Sequence, residues 1–306
     1  MFRYILSRIG QSVAILLGVA MMTFALLYVV PADPAAQVAG RSATHEQIES
    51  VRHEMGLDRP LPVQFGLYLV HLAQGDLGRS YVQRSPVSSL LMARLPATLL
   101  LLSAAILAEL AIGMTAGIIA AVDRGKTADR LIMLLAFVGV STPRFVMGIL
   151  LLYLFSVELG WFPIGGYGTA SHLVLPALTI GVLGGGWYSR MMRSSMVEVL
   201  NQDYIRTARA KGAGEGRVVL VHGLRNALLP ILAMVGIDMG QFMSGTVVVE
   251  SVYGWPGVGQ LMWESIQEID IPVIMAITLV AAVAIVVSNL LVDLIAPLID
   301  PRIKMD

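Results

Sequence analysis

Asp203-Tyr204-Ile205-Arg206-Thr207-Ala208-Arg209-Ala210-Lys211-Gly212 is a polar, cationic stretch in a chain otherwise built of long apolar runs. Asp203 is of a type that caps helices, its carboxylate accepting from backbone N–H groups two or three residues on. Gly212 is of a type that ends them, because glycine takes the left-handed C′ conformation without steric penalty. The spacing predicts about two turns of helix, too short to be stable alone in water. Such a piece must be held by its neighbours or by a partner. Ala208 and Gly212 lie four apart, so they fall on one stripe and are small enough to let another surface approach closely.

The surroundings explain why this stretch stands out. Of 306 residues, 56% are hydrophobic and only 14% charged, with mean hydropathy +0.75. Soluble domains carry about 25% charged residues, so the chain is an integral membrane protein, and an all-α one. A formal net charge of zero offers no electrostatic footprint for nucleic acid. The absence of cysteine excludes disulfides, thiol catalysis and thiolate metal sites. Arg3 and Arg8 ahead of an apolar run have the look of a signal peptide. The run from Ile9 to Val30 exceeds the roughly 7–15 residues of a signal core and lacks a convincing cleavage site, so it reads as a retained first span.

Crossing the hydrocarbon core takes about 20 apolar residues. Six stretches are candidates: Ile9–Val30, Leu95–Val122, Leu131–Val157, Leu173–Tyr188, Leu228–Val249 and Pro272–Ile295. The third contains Pro143, which must kink or divide it. The fourth is short and interrupted by Gly181 and Gly184-Gly185-Gly186. With the N-terminus inside, fourteen Lys and Arg fall on inner segments and six on outer ones, Arg144 alone lying within a span. That bias places both termini and the basic segment 190–227 on the cytoplasmic side.

The chain then divides into residues 1–94, a first span plus a long outer loop, and residues 95–306, a core of five spans carrying the basic loop. The outer loop shows helical punctuation. Thr44-His45-Glu46-Gln47 is a capping box, and Gly56 follows a helix ending near Met55. A second piece, Val63 to Ala73, lies between Pro62 and Gly75, with Phe65 and Tyr68 suited to a membrane interface. It either braces the spans or offers a surface to a soluble partner.

Ionisable groups at membrane depth are costly and tend to face a cavity or a partner. Glu109, Arg144, Asp238 and Asp293 are the candidates. Asp238, Gln241 and Gly245 share one helical face, a polar stripe suited to line a path. Asp238 can meet an ammonium group and Arg144 a carboxylate, or the two can neutralise each other. Fuel and catalytic sites are missing. Gly125-Lys126-Thr127 lacks the earlier glycine of a phosphate loop, where Ala120 stands, and follows an apolar helix in place of a strand. Gly254 to Gly259 fails as a dinucleotide fingerprint and reads as a tight outside hairpin. The five histidines are scattered, with no HExxH spacing.

Arg206-Thr207-Ala208-x-x-x-Gly212 followed by His222-x-Leu224-Arg225-Asn226-Ala227-Leu228-Leu229-Pro230 resembles the EAA loop of ATP-binding-cassette importer permeases. More narrowly it is similar to the dipeptide, oligopeptide, glutathione and nickel branch. Asp33-Pro34-Ala35, Met55-Gly56-Leu57-Asp58-Arg59-Pro60, Gly75-Asp76-Leu77-Gly78, Ser141-x-Pro143-x-Phe145, Val248-Val249-Glu250 and Trp255-Pro256-Gly257-x-Gly259 agree in the same order. No acidic residue opens the loop, and Arg225 stands where the generic loop has proline; both are usual for this branch.

The resemblance implies a six-span permease subunit in a bacterial inner membrane, with a helical periplasmic first loop. It would pair with a second homologous permease, two ABC ATPase subunits and a periplasmic solute-binding protein. ATP and Mg would be held by the ATPases, and none by this chain. The short helix would be the coupling helix that fits a groove on the motor. Asp203, Tyr204, Arg206, Thr207, Ala208, Arg209, Lys211 and Gly212 would carry that contact, with Tyr204 and Arg206 as anchors and Arg209 and Lys211 facing acidic residues. Arg144, Asp238 and Gln241 are the candidates for the translocation path of a small peptide. A nickel chelate is the alternative cargo within the branch. An ion-driven carrier is the alternative outside it, and would need no docking loop.

Overall fold

The computed structural model describes the backbone at residues 2–29, 33–40 and 43–299, and side chains at 8–25, 33–40, 43–239 and 246–290. Among these the secondary structure is helical, apart from an isolated bridge between Arg79 and Pro86. Helix α1 (Phe2–Val29) is followed by three helices of the long first loop, α2 (Pro34–Ala39), α3 (His45–Glu54) and α4 (Leu61–Ala73). Asp33 caps α2, accepting from the Ala35 N–H at 3.1 Å while pairing with Arg52 at 2.6 Å. Thr44 and Gln47 close the expected capping box on α3, and Gly56 at φ +66° ends it. Helix α4 lies against α1 through Phe24, Phe65 and Tyr68, with ring centroids 5.3–6.4 Å apart. The Tyr68 hydroxyl also meets Thr23 at 3.2 Å, so α4 braces the first span.

The long helices follow. Helix α5 (Val87–Val122) begins well before Leu95, so a division at residue 94 falls inside it. Helix α6 (Thr127–Ser141) and α7 (Arg144–Leu152) are separated at Pro143 by a bend of 106°, and a π-helical turn, Tyr153–Glu158, extends α7. The proline therefore divides the third apolar run, because its ring denies the preceding Thr142 a helical backbone. Helix α8 (Ala170–Leu200) is a continuous helix of 31 residues. The glycines expected to interrupt it are inside it. A Cβ on Gly181 would strike Ala108, and one on Gly185 would come within 2.9 Å of Ile112, while Gly113 and Gly117 of α5 are closed off by Tyr188, Ser189 and Met192. Small residues on both partners let α5 and α8 touch backbone to backbone, the packing that membranes favour.

The basic segment gives α9 (Asp203–Ala210) and a single turn, α10 (Glu215–Arg217). A π-helical Val218–Gly223 then feeds α11 (Leu224–Gly245). The apolar run to Val249 overshoots α11, whose last residues give way to α12 (Val247–Tyr253). The Gly254–Gly257 turn and α13 (Val258–Glu268) precede α14 (Ile271–Ile299). The hairpin expected here is a helix–turn–helix with one face buried and the other exposed. Glu250 is fully buried there, accepting from Thr98 Oγ1 at 3.0 Å and the Gln260 N–H at 2.8 Å. Gly257 and Gly259 leave room for its carboxylate. The Trp255 indole donates to the Ala97 carbonyl at 2.9 Å, so α12 and α13 are keyed into α5.

Among the described residues five helices are long and apolar enough to cross a membrane, and the α6–α7 pair brings the number to six. Among the described residues there are three apolar cores, one of them joining α5, α13 and α14 through Val87, Leu91, Leu261 and Val273, and the other two lie on α5 and α8. One joins α5, α8, the π-helical turn and α11 through Tyr188, Met192, Met196, Val219 and Ile231. The other joins α5, α8 and α12 through Leu101, Leu175, Ile180, Tyr253 and Trp255.

Candidate functional site

Helix α9 is fixed by one side of itself only. Ile205 is completely buried, and the Tyr204 hydroxyl accepts from Asn226 Nδ2 at 2.7 Å, tying α9 to the start of α11. Asp203, Arg206, Thr207, Arg209, Ala210 and Lys211 are exposed, and Ala208 is half-buried. The helix therefore rests on a single apolar peg and presents a cationic face.

Several details differ from the sequence reading. Gln202 is the N-cap, in extended backbone, and no side chain caps the helix. Asp203 is its first helical residue, where its charge favours the positive end of the backbone dipole and reaches Arg206 at 3.4 Å. Gly212 adopts φ +80°, and the Gly212 and Ala213 N–H groups return to the Arg209 and Ala208 carbonyls at 2.9 and 3.2 Å. That double bond is the glycine-terminated stop, so conformation accounts for Gly212 without appeal to a close neighbour. Arg209 is already paired, bidentate, with Glu215 at 2.8 and 3.2 Å. Tyr204 likewise spends its hydroxyl within the chain. Arg206, 73% exposed beside Asp203, and Lys211, the residue that closes α9, are exposed cations of this segment.

The second feature is a cavity of about 380 Å³ in the bundle, lined by residues of α5, α6, α7, α8 and α11. Arg144 and Asp238, far apart in sequence, both line it, together with Glu109, Thr142, Trp187 and Ile237. The bend at Pro143 puts Arg144 at the first residue of α7, so its side chain is delivered to the cavity by the break itself. Asp238 is half-buried and accepts from the Tyr188 hydroxyl at 2.6 Å. Glu109 is only 2% exposed and lies over Gly184, where any Cβ would overlap its carboxylate. Trp187 and Ile237 stand about half exposed at the mouth, and Arg190 sits 4.9 Å over the Trp187 ring. The sequence missed Tyr188, Trp187 and Thr142; the glycine run was their signal, since a helix glycine opposite an acid makes room for it. Gln241, Gly245 and Asp293 lie outside the described side chains.

Among the described residues no group of three His, Cys, Asp or Glu is arranged to hold a metal ion.

Two family profiles cover the chain. Residues 113–305 match the binding-protein-dependent transport system inner membrane component, and residues 1–102 the N-terminal component of the same membrane proteins. The glutathione transport system permease protein GsiC of Salmonella paratyphi A is 43% identical over 304 residues, covering 99% of each chain. Its counterpart in Escherichia coli K12 is 42% identical with the same coverage. Among solved structures, an inward-facing MetNI methionine ABC transporter chain aligns with TM-score 0.59 at 18% identity, over 69% of this chain and 97% of its own. That likeness concerns the fold. The matches to sequence and fold agree with the order of motifs from Asp33 to Gly259, and the chain belongs to the binding-protein-dependent inner membrane components, as a permease of the peptide and glutathione branch of ABC importers.

Proposed function

We propose that this permease forms one half of the path by which an ATP-driven importer carries small peptides of the glutathione type into the cytoplasm. The other half is a second, homologous permease. Two ATPase subunits grip the permeases from inside, and a solute-binding protein delivers cargo from the periplasm. The observation that carries this reading is α9. It is an eight-residue helix with one buried anchor and a cationic outer face, following α8 in the chain and tied to the start of α11 by the Tyr204–Asn226 hydrogen bond. A helix held this way transmits force, because a push on its exposed face reaches the spans through Ile205 and the Tyr204–Asn226 hydrogen bond. Family resemblance and relatives named for glutathione transport support the cargo class.

In the cycle, ATP closes the motors, α9 follows them, and the bundle rocks so that the central cavity opens to alternate sides. Cargo biases that equilibrium only through different affinity for the two states. ATP binding and hydrolysis supply the drive.

The test is reconstitution in liposomes of the chain with its companion permease, ATPases and binding protein. Uptake of labelled glutathione is expected to need ATP and to vanish when the ATPases are left out. Arg206→Glu is expected to abolish uptake while the complex still inserts and its ATPases still bind nucleotide. Full uptake by this chain in the absence of any ATPase would sink the proposal in favour of a secondary carrier.

A further inference from the structure

The cavity holds two carboxylates and one guanidinium, and one of the carboxylates has a feature that a purely structural ion network does not need. Glu109 is 98% removed from solvent, and its Oε2 has no hydrogen-bond partner among the described residues. A buried polar atom without a partner is destabilising, a cost that an apolar residue at this position would avoid. It lines a space of about 380 Å³, within the range that holds small-molecule ligands. The carboxylate packs directly on Gly184 of α8, and glycine is the one residue type that leaves it where it is. Asp238 lines the same space and accepts from Tyr188 Oη at 2.6 Å through one of its two oxygens. Arg144 completes the lining from α7.

From this placement we infer that the cavity is a transit site for the free α-amino acid head of the cargo, with Glu109 and Asp238 receiving its ammonium group and Arg144 its carboxylate. The inference rests on the peptide-importer reading above and names the part of the peptide that the membrane site recognises. The chemistry follows from the lining groups. The two carboxylates offer acceptors to an ammonium group and the guanidinium offers donors to a carboxylate, whereas an uncharged cargo leaves Glu109 as it is. Thr142 and Trp187 also line the space, one polar and one able to cover an apolar side chain. Glycine at 184 is then a positioning residue: a methyl group there displaces the Glu109 carboxylate.

The experiment uses the complete transporter in liposomes and compares ATP-driven uptake of glutathione with that of N-acetylglutathione, whose amine is blocked. Each variant is read against wild type with the same cargo, so the affinity of the binding protein cancels. Glu109→Gln, which keeps shape and removes charge, is expected to lower glutathione uptake about tenfold or more, the scale of a charge-assisted hydrogen bond. Uptake of the acetylated peptide is expected to stay at the wild-type level. Gly184→Ala is expected to reproduce the defect in milder form. Equal loss for both peptides would overturn the assignment and mark Glu109 as structural. Unchanged glutathione uptake would overturn it as well. If wild type does not carry the acetylated peptide, equilibrium binding of the two peptides to the transporter in nanodiscs without binding protein decides. Tighter binding of glutathione that Glu109→Gln abolishes supports the site, and indifference to either change refutes it. Failure of wild-type uptake with all subunits present is a separate result and bears on the importer reading.

Discussion

Ile269 is a β-branched residue at φ +57°, in the left-handed region that its side chain disfavours. It closes α13, where the Asp270 N–H returns to the Ser265 carbonyl at 2.8 Å in the geometry usually reserved for glycine. Asp270 explains why the conformation survives. Its carboxylate accepts from the Ser80 hydroxyl and, at 3.1 Å, from the Tyr81 N–H, so the outer loop holds this turn in place. Burial, with the Asp270 charge beside it, pushes the Tyr81 phenol up to about 12, which keeps that ring neutral over the whole working range. The strained backbone has a measurable consequence. Ile269→Gly removes a left-handed penalty of about 1 kcal/mol or more, offset in part by glycine's greater freedom when unfolded. Its transition in detergent is expected to rise by on the order of 2 °C. A fall in the transition temperature would show that the 43% exposed Ile269 side chain contributes more through contact than its backbone costs.

At the scale of elements, the firmest tie between α6 and α8 is Asp129 with Arg193. The carboxylate accepts from two of the three guanidinium nitrogens, Nε at 2.5 Å and Nη2 at 2.7 Å, and from the Gly125 N–H at 2.8 Å. Asp129 is nearly buried and Arg193 mostly so, so solvent screens the pair only in part. A double-mutant cycle with Asp129→Asn and Arg193→Ala is expected to give a coupling energy of about 1.5 kcal/mol or more, with the double variant little worse than the poorer single one. Additive losses would mean that each residue acts through other neighbours. This pair also shows what a sequence can and cannot disclose. Asp129 and Arg193 are 64 positions apart, and neither shows a pattern that names the other. The helix ends were legible because caps are local: Thr44 with Gln47, Gly56 and Gly212 all stop or start helices by chemistry within a few residues. Span number was legible from apolar length. The α12–α13 hairpin was not, since Glu250 looks like an exposed acid until Gly257, Gly259 and Thr98 are seen around it. The glycines of α8 misled for the same reason. Inside a helix glycine weakens local preference, and only the facing Ala108, Ile112 and Glu109 show what it is for.

For the molecule as a whole, direction across the membrane decides whether the parts form an importer, and it rests on the distribution of fourteen basic residues against six. The positive-inside rule counts charges in short loops near the ends of spans, and α9 with its flanks contributes Arg206, Arg209, Lys211 and Arg217 to that count. The outer loop is longer and carries Arg41, Arg52, Arg59, Arg79 and Arg84, where the rule has less force. Of these, Arg52 is engaged by Asp33 and Glu49, so its charge is largely answered locally. The chain contains no cysteine, which makes the direction directly measurable. Single cysteines at Lys211, on the exposed end of α9, and at Glu46, on the exposed face of α3, each report from one end of the bundle. In intact spheroplasts a membrane-impermeant maleimide is expected to label Glu46→Cys and to leave Lys211→Cys untouched until the membrane is opened. Adding the ATPase subunits is expected to protect Lys211→Cys and not Glu46→Cys, as docking of the motors on α9 in the proposed importer requires. The reverse labelling pattern would put the docking helix in the periplasm, where no ATP is available to drive it, and would remove the basis for an importer of this orientation.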